Sequence, residues 1–191
     1  MAITDQIKWD KKYQETPKLL EKRDVGIKLK EALKYSKVGL ALDVACGAGK
    51  NSIYLAQNSF TVESLDISKV ALDALKSNNY SNISTFLTDL DGFVPEQNKY
   101  DLIVMTNYLD REMIPKLASA LPVDGILFIE TYMHDKSNEK KSSNPSYLLK
   151  KEELKTFFNK DYNVLDYSEF DNGSDELYKM KKQSITVQKI S

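Results

Sequence analysis

Two glycines and a lone acidic residue lie close together in the stretch ALDVACGAGK, residues 41–50. The apolar run stops at Asp43, and Gly47 and Gly49 follow it in a chain that has only 7 glycines among 191 residues. Because glycine weakens helices and strands alike, two at one point indicate a sharply bent backbone or one that a ligand approaches closely. This stretch is the first candidate for a ligand-binding loop.

Acidic residues also close the two apolar segments that come next. Asp66 ends FTVESLD, and Asp89 follows NISTFL. Ligands of open parallel sheets bind beyond the carboxyl ends of the strands, so acids at three successive strand ends are expected to share one site. Acidic residues also occur at such positions simply because strands end in solvated loops. The coincidence of Asp43 with the two glycines favours a ligand site.

Two kinds of ligand compete for this loop. A dinucleotide fingerprint, G-x-G-x-x-G, would need a third glycine where the chain has Ser52, and Asp43 would repel a pyrophosphate. S-adenosylmethionine has no phosphates; Asp66 could accept hydrogen bonds from its ribose hydroxyls, and Asp89 could bind the adenine amino group beside Leu90. The residues favour S-adenosylmethionine, with an NAD(P)-dependent oxidoreductase as the alternative.

Strand-like and helix-like patterns alternate along the middle of the chain. This alternation implies right-handed crossovers and a parallel sheet with helices on both faces, so the predicted fold class is α/β and doubly wound. Near the end, Asn172-Gly173 between two strand patterns predicts an antiparallel hairpin at the sheet edge. The predicted strands are 38–44, 60–66, 82–87, 100–106, 125–131, 162–170 and 184–190, and the predicted helices are 50–58, 68–77, 110–121 and about 150–158.

Local signals refine some of these boundaries. Ser68 is a predicted N-cap, and Pro115 is expected to make its helix irregular or split. Thr16-Pro17 is a helix-start signal, so residues 17–37 are predicted to form a helix that packs on one face of the sheet. The polar stretch 134–145 is predicted to be a mobile surface loop.

Composition excludes several classes of protein. Hydrophobic residues make up 41% and charged residues 29% of a chain long enough for one domain. With a net charge of −1, no global positive field favours nucleic acid or an anionic membrane, and no apolar run is long enough to span a bilayer. Cys46 is the only cysteine and no His/Cys cluster has metal-ligand spacing, so we expect no disulfide, no metal and a cytoplasmic location.

Five segments carry a resemblance to a known family: LDVACGAGKNSIYLA, VESLDIS, YDLIVMTNYLDR, LFIET and NPSYLLKKEEL. Together they resemble the class I S-adenosylmethionine-dependent methyltransferases, and in particular the small bacterial group that includes the tellurite-resistance methyltransferases. The resemblance runs from about Trp9 to Phe170 and implies a mostly parallel, seven-stranded, Rossmann-like sheet whose last strand is antiparallel. Ala45 departs from the class, since many members have a glycine there.

The predicted cofactor-binding residues lie in the N-terminal segment, the glycine loop and the strand ends. Relatives have a similar Trp-Asp…Tyr segment that covers the cofactor, so the single domain 1–191 is predicted to divide into a covering segment (1–16), a packing helix (17–37) and the sheet core (38–191). Cys46 is expected to be a buried loop residue rather than a catalytic thiol. The predicted cofactor-binding set is Trp9, Tyr13, Asp43, Ala45, Cys46, Gly47, Gly49, Asn51, Asp66, Ile67, Asp89, Leu90 and Thr106.

The methyl acceptor is expected above the ends of the fourth and fifth strands, where the chain offers Asn107, Tyr108, Arg111 and His134. Transfer from a sulfonium needs proximity and orientation, and no general base is obligatory for a soft nucleophile, so no catalytic residue is assigned. The planar guanidinium of Arg111 suits an anionic acceptor; the alternative is a surface ion pair with a neighbouring acid. His134 is expected to be solvated more than to accept a proton.

The substrate class is narrowed by what the sequence lacks. The fourth strand leads into MTNY, without the Asn/Asp-Pro-Pro-Tyr arrangement of amino-group methyltransferases, and no Pro-Cys pair is present for attack on cytosine. A small molecule or an inorganic oxyanion such as tellurite or selenite is therefore the predicted acceptor, and nucleic acid is not. A catalytically idle cofactor-binding protein of the same fold is a further alternative. The sequence does not indicate an oligomeric state.

Overall fold

The computed structural model describes residues 2–140, 144–173 and 178–191. Its strands form one sheet in the order β3-β2-β1-β4-β5-β7-β6, in which β7 is antiparallel to both neighbours and the other pairs are parallel. The predicted α/β fold with a C-terminal antiparallel pair is confirmed. The strands are β1 (Leu40–Val44), β2 (Thr61–Asp66), β3 (Ile83–Leu87), β4 (Leu102–Thr106), β5 (Ile126–Tyr132), β6 (Tyr162–Asp171) and β7 (Lys181–Lys189).

Five α-helices accompany the sheet within the described residues: α1 (Ala2–Glu15), α2 (Ile27–Ala32), α3 (Lys50–Gln57), α4 (Lys69–Lys76) and α5 (Met113–Ala120). Ser68 is the N-cap of α4, as predicted, and its hydroxyl accepts a hydrogen bond from the Ala71 N–H at 3.2 Å. Pro115 does not split α5. It lies in the first turn, where a backbone N–H has no partner within the helix, so its missing donor costs nothing.

The segment 17–37 is not one helix, and this corrects the prediction. A 3₁₀ helix (Pro17–Leu20) ends where Glu21 becomes extended, and α2 begins only after Gly26, a residue that favours helix breaks. A second 3₁₀ turn, Leu33–Tyr35, follows α2. The helix expected near 150–158 is likewise a 3₁₀ helix, Glu153–Phe157, and the residue before it, Glu152, has a left-handed backbone with φ 58°.

The core lies on both faces of the sheet because strand side chains alternate between them. On β4, Ile103 and Met105 pack in the cluster that contains α5, whereas Leu102 and Val104 pack with side chains from α2 and α3. All four are fully buried. This two-sided packing leaves the carboxyl ends of the parallel strands open at one edge. No described helix is both long and apolar enough to cross a membrane.

Candidate functional site

A cleft of about 1040 Å³ opens at the carboxyl ends of the parallel strands. Its walls come from α1, residues 19–25, the glycine loop after β1, and the ends of β2, β3 and β4. This is where open α/β sheets bind ligands. Most predicted site residues line it: Trp9, Tyr13, Ala45, Cys46, Gly47, Asn51, Asp66, Ile67, Asp89, Leu90, Thr106, Asn107, Tyr108 and Arg111.

The glycine loop is bent by three residues with left-handed backbones, Ala45 (φ 54°), Gly47 (φ 56°) and Gly49 (φ 80°). A Cβ atom at Gly49 would lie 2.3 Å from the Leu75 Cδ1, and a Cβ at Gly47 would lie 2.7 Å from the Tyr13 hydroxyl oxygen. Because Gly49 has no side chain, it can pack against Leu75 of α4, outside the cleft lining. Because Gly47 has none, it leaves room for Tyr13 of α1. The two glycines are placed where the chain's own side chains approach the loop.

Asp43 lies beneath the loop and does not line the cleft, in contrast to its predicted role as a cofactor ligand. It is fully buried, and its Oδ2 accepts a 2.6 Å hydrogen bond from the Ser52 hydroxyl, which in turn accepts one from Ser64 at 2.8 Å. Its other oxygen, Oδ1, has no hydrogen-bond partner among the described residues. Burial raises the pKa of Asp43 to about 7. Asp43 supports the loop from below.

Asp66 does reach the cleft, from the end of β2. Its Oδ2 accepts a hydrogen bond from the Gly47 N–H at 2.7 Å, and its Oδ1 accepts one from the Ser68 N–H at 2.8 Å. Burial raises the pKa of Asp66, although these backbone donors act in the opposite direction. The carboxylate thus joins the glycine loop to the start of α4 and keeps lone pairs for a ligand.

Helix α1 lies across the cleft and is attached at its centre. Asp10 accepts hydrogen bonds from the Ser68 hydroxyl at 2.6 Å and from the Val70 N–H at 3.1 Å, so it adds a second cap to α4. The Trp9 and Tyr13 rings, with centroids 6.2 Å apart, both face the cleft. The sequence placed Trp9 and Tyr13 on one face of a helix. In the structure that face of α1 is turned to the cleft, and Tyr13 lies next to Gly47 of the glycine loop.

Charged residues of both signs line the cleft. Around Tyr108 lie Asp110, Asp91, Asp89 and Asp5; burial first, and then these acids, raise its pKa to about 12. Burial and then the charges of Lys140 and Lys8 lower the pKa of Lys12. The Lys12 ammonium also lies 4.4 Å from the centroid of the Trp9 ring.

Arg111 differs from both interpretations drawn from the sequence. Its Nε and Nη2 donate to the two carboxylate oxygens of Glu153 at 2.6 and 3.2 Å. Its Nη1 donates to the Ser146 carbonyl at 2.5 Å and its Nη2 to the Leu148 carbonyl at 3.1 Å. The anion that Arg111 binds in this structure is Glu153, and the pair fastens residues 146–153 to the end of β4.

Two of the remaining predicted residues, His134 and Asn51, differ in whether they line the cleft. His134 is exposed and does not line the cleft, so the structure does not bring it to the acceptor side. Asn51 donates a 2.7 Å hydrogen bond to the Thr106 hydroxyl, which links α3 to the end of β4 inside the cleft. Within the described ranges, no group of three or more His, Cys, Asp or Glu residues could hold a metal ion.

Sequence reasoning missed six basic residues that line the cleft in the described part of the chain, among them Arg23, Lys12 and Lys140. Each of these three lies in a stretch of mixed charge without periodicity, and basic residues of that kind are usually solvated. One signal was available for Lys12, because it lies between Trp9 and Tyr13 in a helix that was expected to cover the site. No comparable signal marks Lys140 or Arg23, which reach the cleft only through the folded arrangement.

Comparison with known proteins decides the family. The chain matches the family described as tellurite resistance protein TehB over residues 1–188. The chain belongs to the TehB family. It is 32% identical over 139 residues to a probable S-adenosyl-L-methionine-dependent methyltransferase TehB from Haemophilus influenzae (strain 10810), a match that covers 67% of this chain and 47% of the relative. The resemblance seen in the sequence is confirmed.

Solved structures agree on the fold of this TehB-family chain. The crystal structure of TehB from Haemophilus influenzae superposes with a TM-score of 0.71 at 27% identity, covering 86% of this chain and 62% of that one. Coclaurine N-methyltransferase bound to N-methylheliamine and SAH gives a TM-score of 0.62 at 13% identity over 84% of this chain and 70% of that one, a likeness of fold. The chain spans about half the length of the TehB relative it matches in sequence.

Proposed function

We propose that this chain is an S-adenosylmethionine-dependent methyltransferase whose acceptor is a small anion, such as an inorganic oxyanion of the tellurite or selenite type. The observation that carries the proposal is that the lining of the cleft includes both carboxylates at the strand ends and a group of lysines whose charges act on one another. The names of the TehB relatives support the same activity.

The carboxylates at the strand ends fit the adenosine part of the cofactor. Asp66 and Asp89 line the cleft at the ends of β2 and β3, where their oxygens can accept hydrogen bonds from ribose hydroxyls and an adenine amino group. A dinucleotide fits less well, because Ser52 is fully buried and bonded to Asp43 instead of leaving room for a pyrophosphate. When bound, S-adenosylmethionine supplies a methyl group on a sulfonium, and the protein supplies orientation and exclusion of water.

The lysines of the cleft fit an anionic acceptor. Lys12, Lys8 and Lys140 line the cleft with exposed side chains, and the charges of Lys140 and Lys8 contribute to lowering the pKa of Lys12. Like charges held together in a cleft attract an oppositely charged ligand, since the ligand relieves their mutual repulsion. We therefore assign binding of the acceptor to these lysines in place of Arg111.

An acceptor panel tests this function. Purified protein with labelled S-adenosylmethionine is expected to methylate tellurite or selenite faster than neutral thiols or amines. Lys12→Gln is expected to raise the KM for the oxyanion about three- to tenfold while leaving kcat nearly unchanged, because it weakens binding of the anion. The matched control is Lys11→Gln, since the exposed Lys11 pairs with Glu15 and does not line the cleft.

Two outcomes would contradict the proposal. Methylation of neutral thiols or amines in preference to any anion would show that the lysines do not select the acceptor. Cofactor binding without turnover on any member of the panel would favour the idle cofactor-binding protein.

Asp66→Ala is expected to weaken the binding of S-adenosylmethionine about tenfold to a hundredfold, because hydrogen bonds to a charged carboxylate contribute about 1.5–3 kcal/mol. Calorimetry measures the affinity, and thermal unfolding checks that the loop held by Asp66 has not melted. Asp73→Ala, on the exposed face of α4, is the control that removes an acid without reaching the cleft. An unchanged affinity in a folded Asp66→Ala protein would remove this residue from the site.

Trp9 is expected to report closure of α1 over the cofactor. It is the chain's only tryptophan and lines the cleft, so its emission should shift to the blue and resist quenching when S-adenosylhomocysteine is added. Asp10→Ala, which removes the hydrogen bonds to the α4 cap, should reduce that response. If calorimetry detects binding while the spectrum and the quenching stay unchanged, α1 does not order on the cofactor.

A further inference from the structure

Tyr147 is an aromatic residue of the cleft to which the proposed function assigns no role. Its side chain is 58% exposed and lines the cleft, while Leu149, two residues later, is fully buried. The Tyr147 hydroxyl makes no hydrogen bond with any residue that the structure describes. Both the ring and the hydroxyl are therefore available to a ligand.

The backbone on both sides of Tyr147 is held by Arg111. The Arg111 Nη1 donates to the Ser146 carbonyl at 2.5 Å, and its Nη2 donates to the Leu148 carbonyl at 3.1 Å. These are the residues immediately before and after Tyr147. Glu153 fixes the guanidinium in turn, because its two carboxylate oxygens accept hydrogen bonds from Nε and Nη2. The pair therefore holds the peptide groups that carry Tyr147.

The turn that carries Tyr147 is also joined to the end of β5. The Leu149 N–H donates to the Tyr132 carbonyl at 3.0 Å, and the Leu149 carbonyl accepts from the His134 N–H at 2.8 Å. With Arg111 on its other side, the turn lies between the end of β5 and the segment that follows β4. Adenosine is assigned to the acids at the ends of β2 and β3, so this turn is at the acceptor end of the cleft.

A fixed backbone makes Tyr147 a positioned group. A contact residue whose backbone is already ordered loses less conformational entropy when a ligand binds. A tyrosine hydroxyl can donate a hydrogen bond, and a hydrogen bond to an anion is stronger than one to a neutral acceptor. Tyr147 therefore suits a methyl acceptor that has a charged oxygen.

We infer that the Tyr147 hydroxyl donates a hydrogen bond to an oxygen of the methyl acceptor, and that Arg111 is a positioning residue that acts through Tyr147. The inference rests on the proposed function, which supplies an oxyanion as the acceptor. The lysines of the cleft attract the anion, and the Tyr147 hydroxyl orients it while keeping its proton. The Arg111 guanidinium is already bound to Glu153 and to two carbonyl oxygens, so its effect on the acceptor is indirect.

Tyr147→Phe removes the hydroxyl and keeps the ring. With labelled S-adenosylmethionine and selenite, this variant is expected to raise the KM for selenite about tenfold and to change kcat by less than about twofold, because it weakens binding of the anion. Its affinity for S-adenosylhomocysteine, measured by calorimetry, should equal that of the wild type. The matched control is Tyr35→Phe, since Tyr35 is an exposed tyrosine that does not line the cleft.

A double-mutant cycle tests the role of Arg111. Arg111→Lys keeps the positive charge but loses the planar fork that reaches both carbonyls and Glu153. It is expected to raise the KM for selenite about three- to fivefold in the wild-type background and to add less than about 1.5-fold in Tyr147→Phe. A residue that only stabilises the fold would have the same effect in both backgrounds. Glu153→Gln, which leaves Arg111 in place, serves if Arg111→Lys does not fold.

The outcomes separate this inference from the function on which it rests. An unchanged KM in a folded Tyr147→Phe protein, or an equal loss of affinity for S-adenosylhomocysteine, would overturn the role of Tyr147 and leave the proposed function intact. Equal effects of Arg111→Lys in the two backgrounds would overturn its role as a positioning residue. Failure of the wild-type protein to methylate any oxyanion would overturn the proposed acceptor, and this inference with it.

Discussion

Lys182→Met is expected to lower the free energy of unfolding by about 3–5 kcal/mol, because it leaves a carboxylate buried without its counter-charge. The Lys182 ammonium on β7 lies 3.0 Å from the Glu130 Oε1 on β5, and the two side chains are only 3% and 9% exposed. The second Glu130 oxygen, Oε2, lies 3.2 Å from where a Cβ on Gly26 would be, so the carboxylate has little room to turn towards water. Urea unfolding measures the loss.

Two further variants show whether the lost counter-charge causes the loss of stability in Lys182→Met. Glu130→Gln combined with Lys182→Met removes both charges and should recover most of the stability lost by the single variant. Lys181→Met changes the neighbouring, more exposed lysine, whose pair with Asp171 spans 3.5 Å, and should cost no more than about 1 kcal/mol. If Lys182→Met also cost no more than about 1 kcal/mol, water would have to hydrate the Glu130 carboxylate in the variant.

Asp43→Asn is expected to stabilise the protein above pH 7 relative to the wild type, by up to about 4 kcal/mol, and to have little such effect near pH 4. The folded pKa of Asp43 is raised to about 7 from an ordinary value of 3.8. Between these values the unfolded chain has lost the proton and the folded chain keeps it, so wild-type stability falls as pH rises. Asparagine cannot ionise, and the variant lacks this part of the pH dependence.

The free energy of unfolding of both proteins is measured at several pH values between 4 and 8. The stability of Asp43→Asn relative to the wild type is expected to increase with pH. Asp73→Asn removes a surface carboxylate from α4 and should shift stability by nearly the same amount at every pH. Parallel curves for Asp43→Asn and the wild type would mean that water or a counter-charge reaches the Oδ1 that has no partner in the described residues.

The fold and the floor of the cleft could be predicted because they depend on local patterns. Short runs of apolar and β-branched residues predicted the strands, and the acids at strand ends predicted that Asp66 and Asp89 lie in the cleft. Asp43 shows the limit of this reasoning, since its residue type is consistent with both a ligand contact and a buried support. The orientation of its side chain is decided by Ser52, which a sequence pattern cannot show.

Partners brought together by tertiary contacts could not be predicted. Arg111 is paired across 42 residues with Glu153, and Lys182 is paired across 52 residues with Glu130. The start of β7 was placed at residue 184 instead of Lys181 because the first residues of the strand are polar. They are tolerated inside the sheet because Lys182 has a buried counter-charge and the Gln183 side-chain amide donates to the Lys150 carbonyl at 2.6 Å.

The position of β7 also sets an order of assembly. β7 lies between β5 and β6 in the sheet, although it follows both in the chain. β6 therefore has no strand to join until β7 exists, so β6 enters the sheet together with β7 or after it. Proteolysis or truncation before Lys181 would release β6 as well and leave the apolar strand β5 as a bare edge. The exposed edge of β5 in such a fragment is a template for strand pairing between molecules, so the fragment is expected to aggregate.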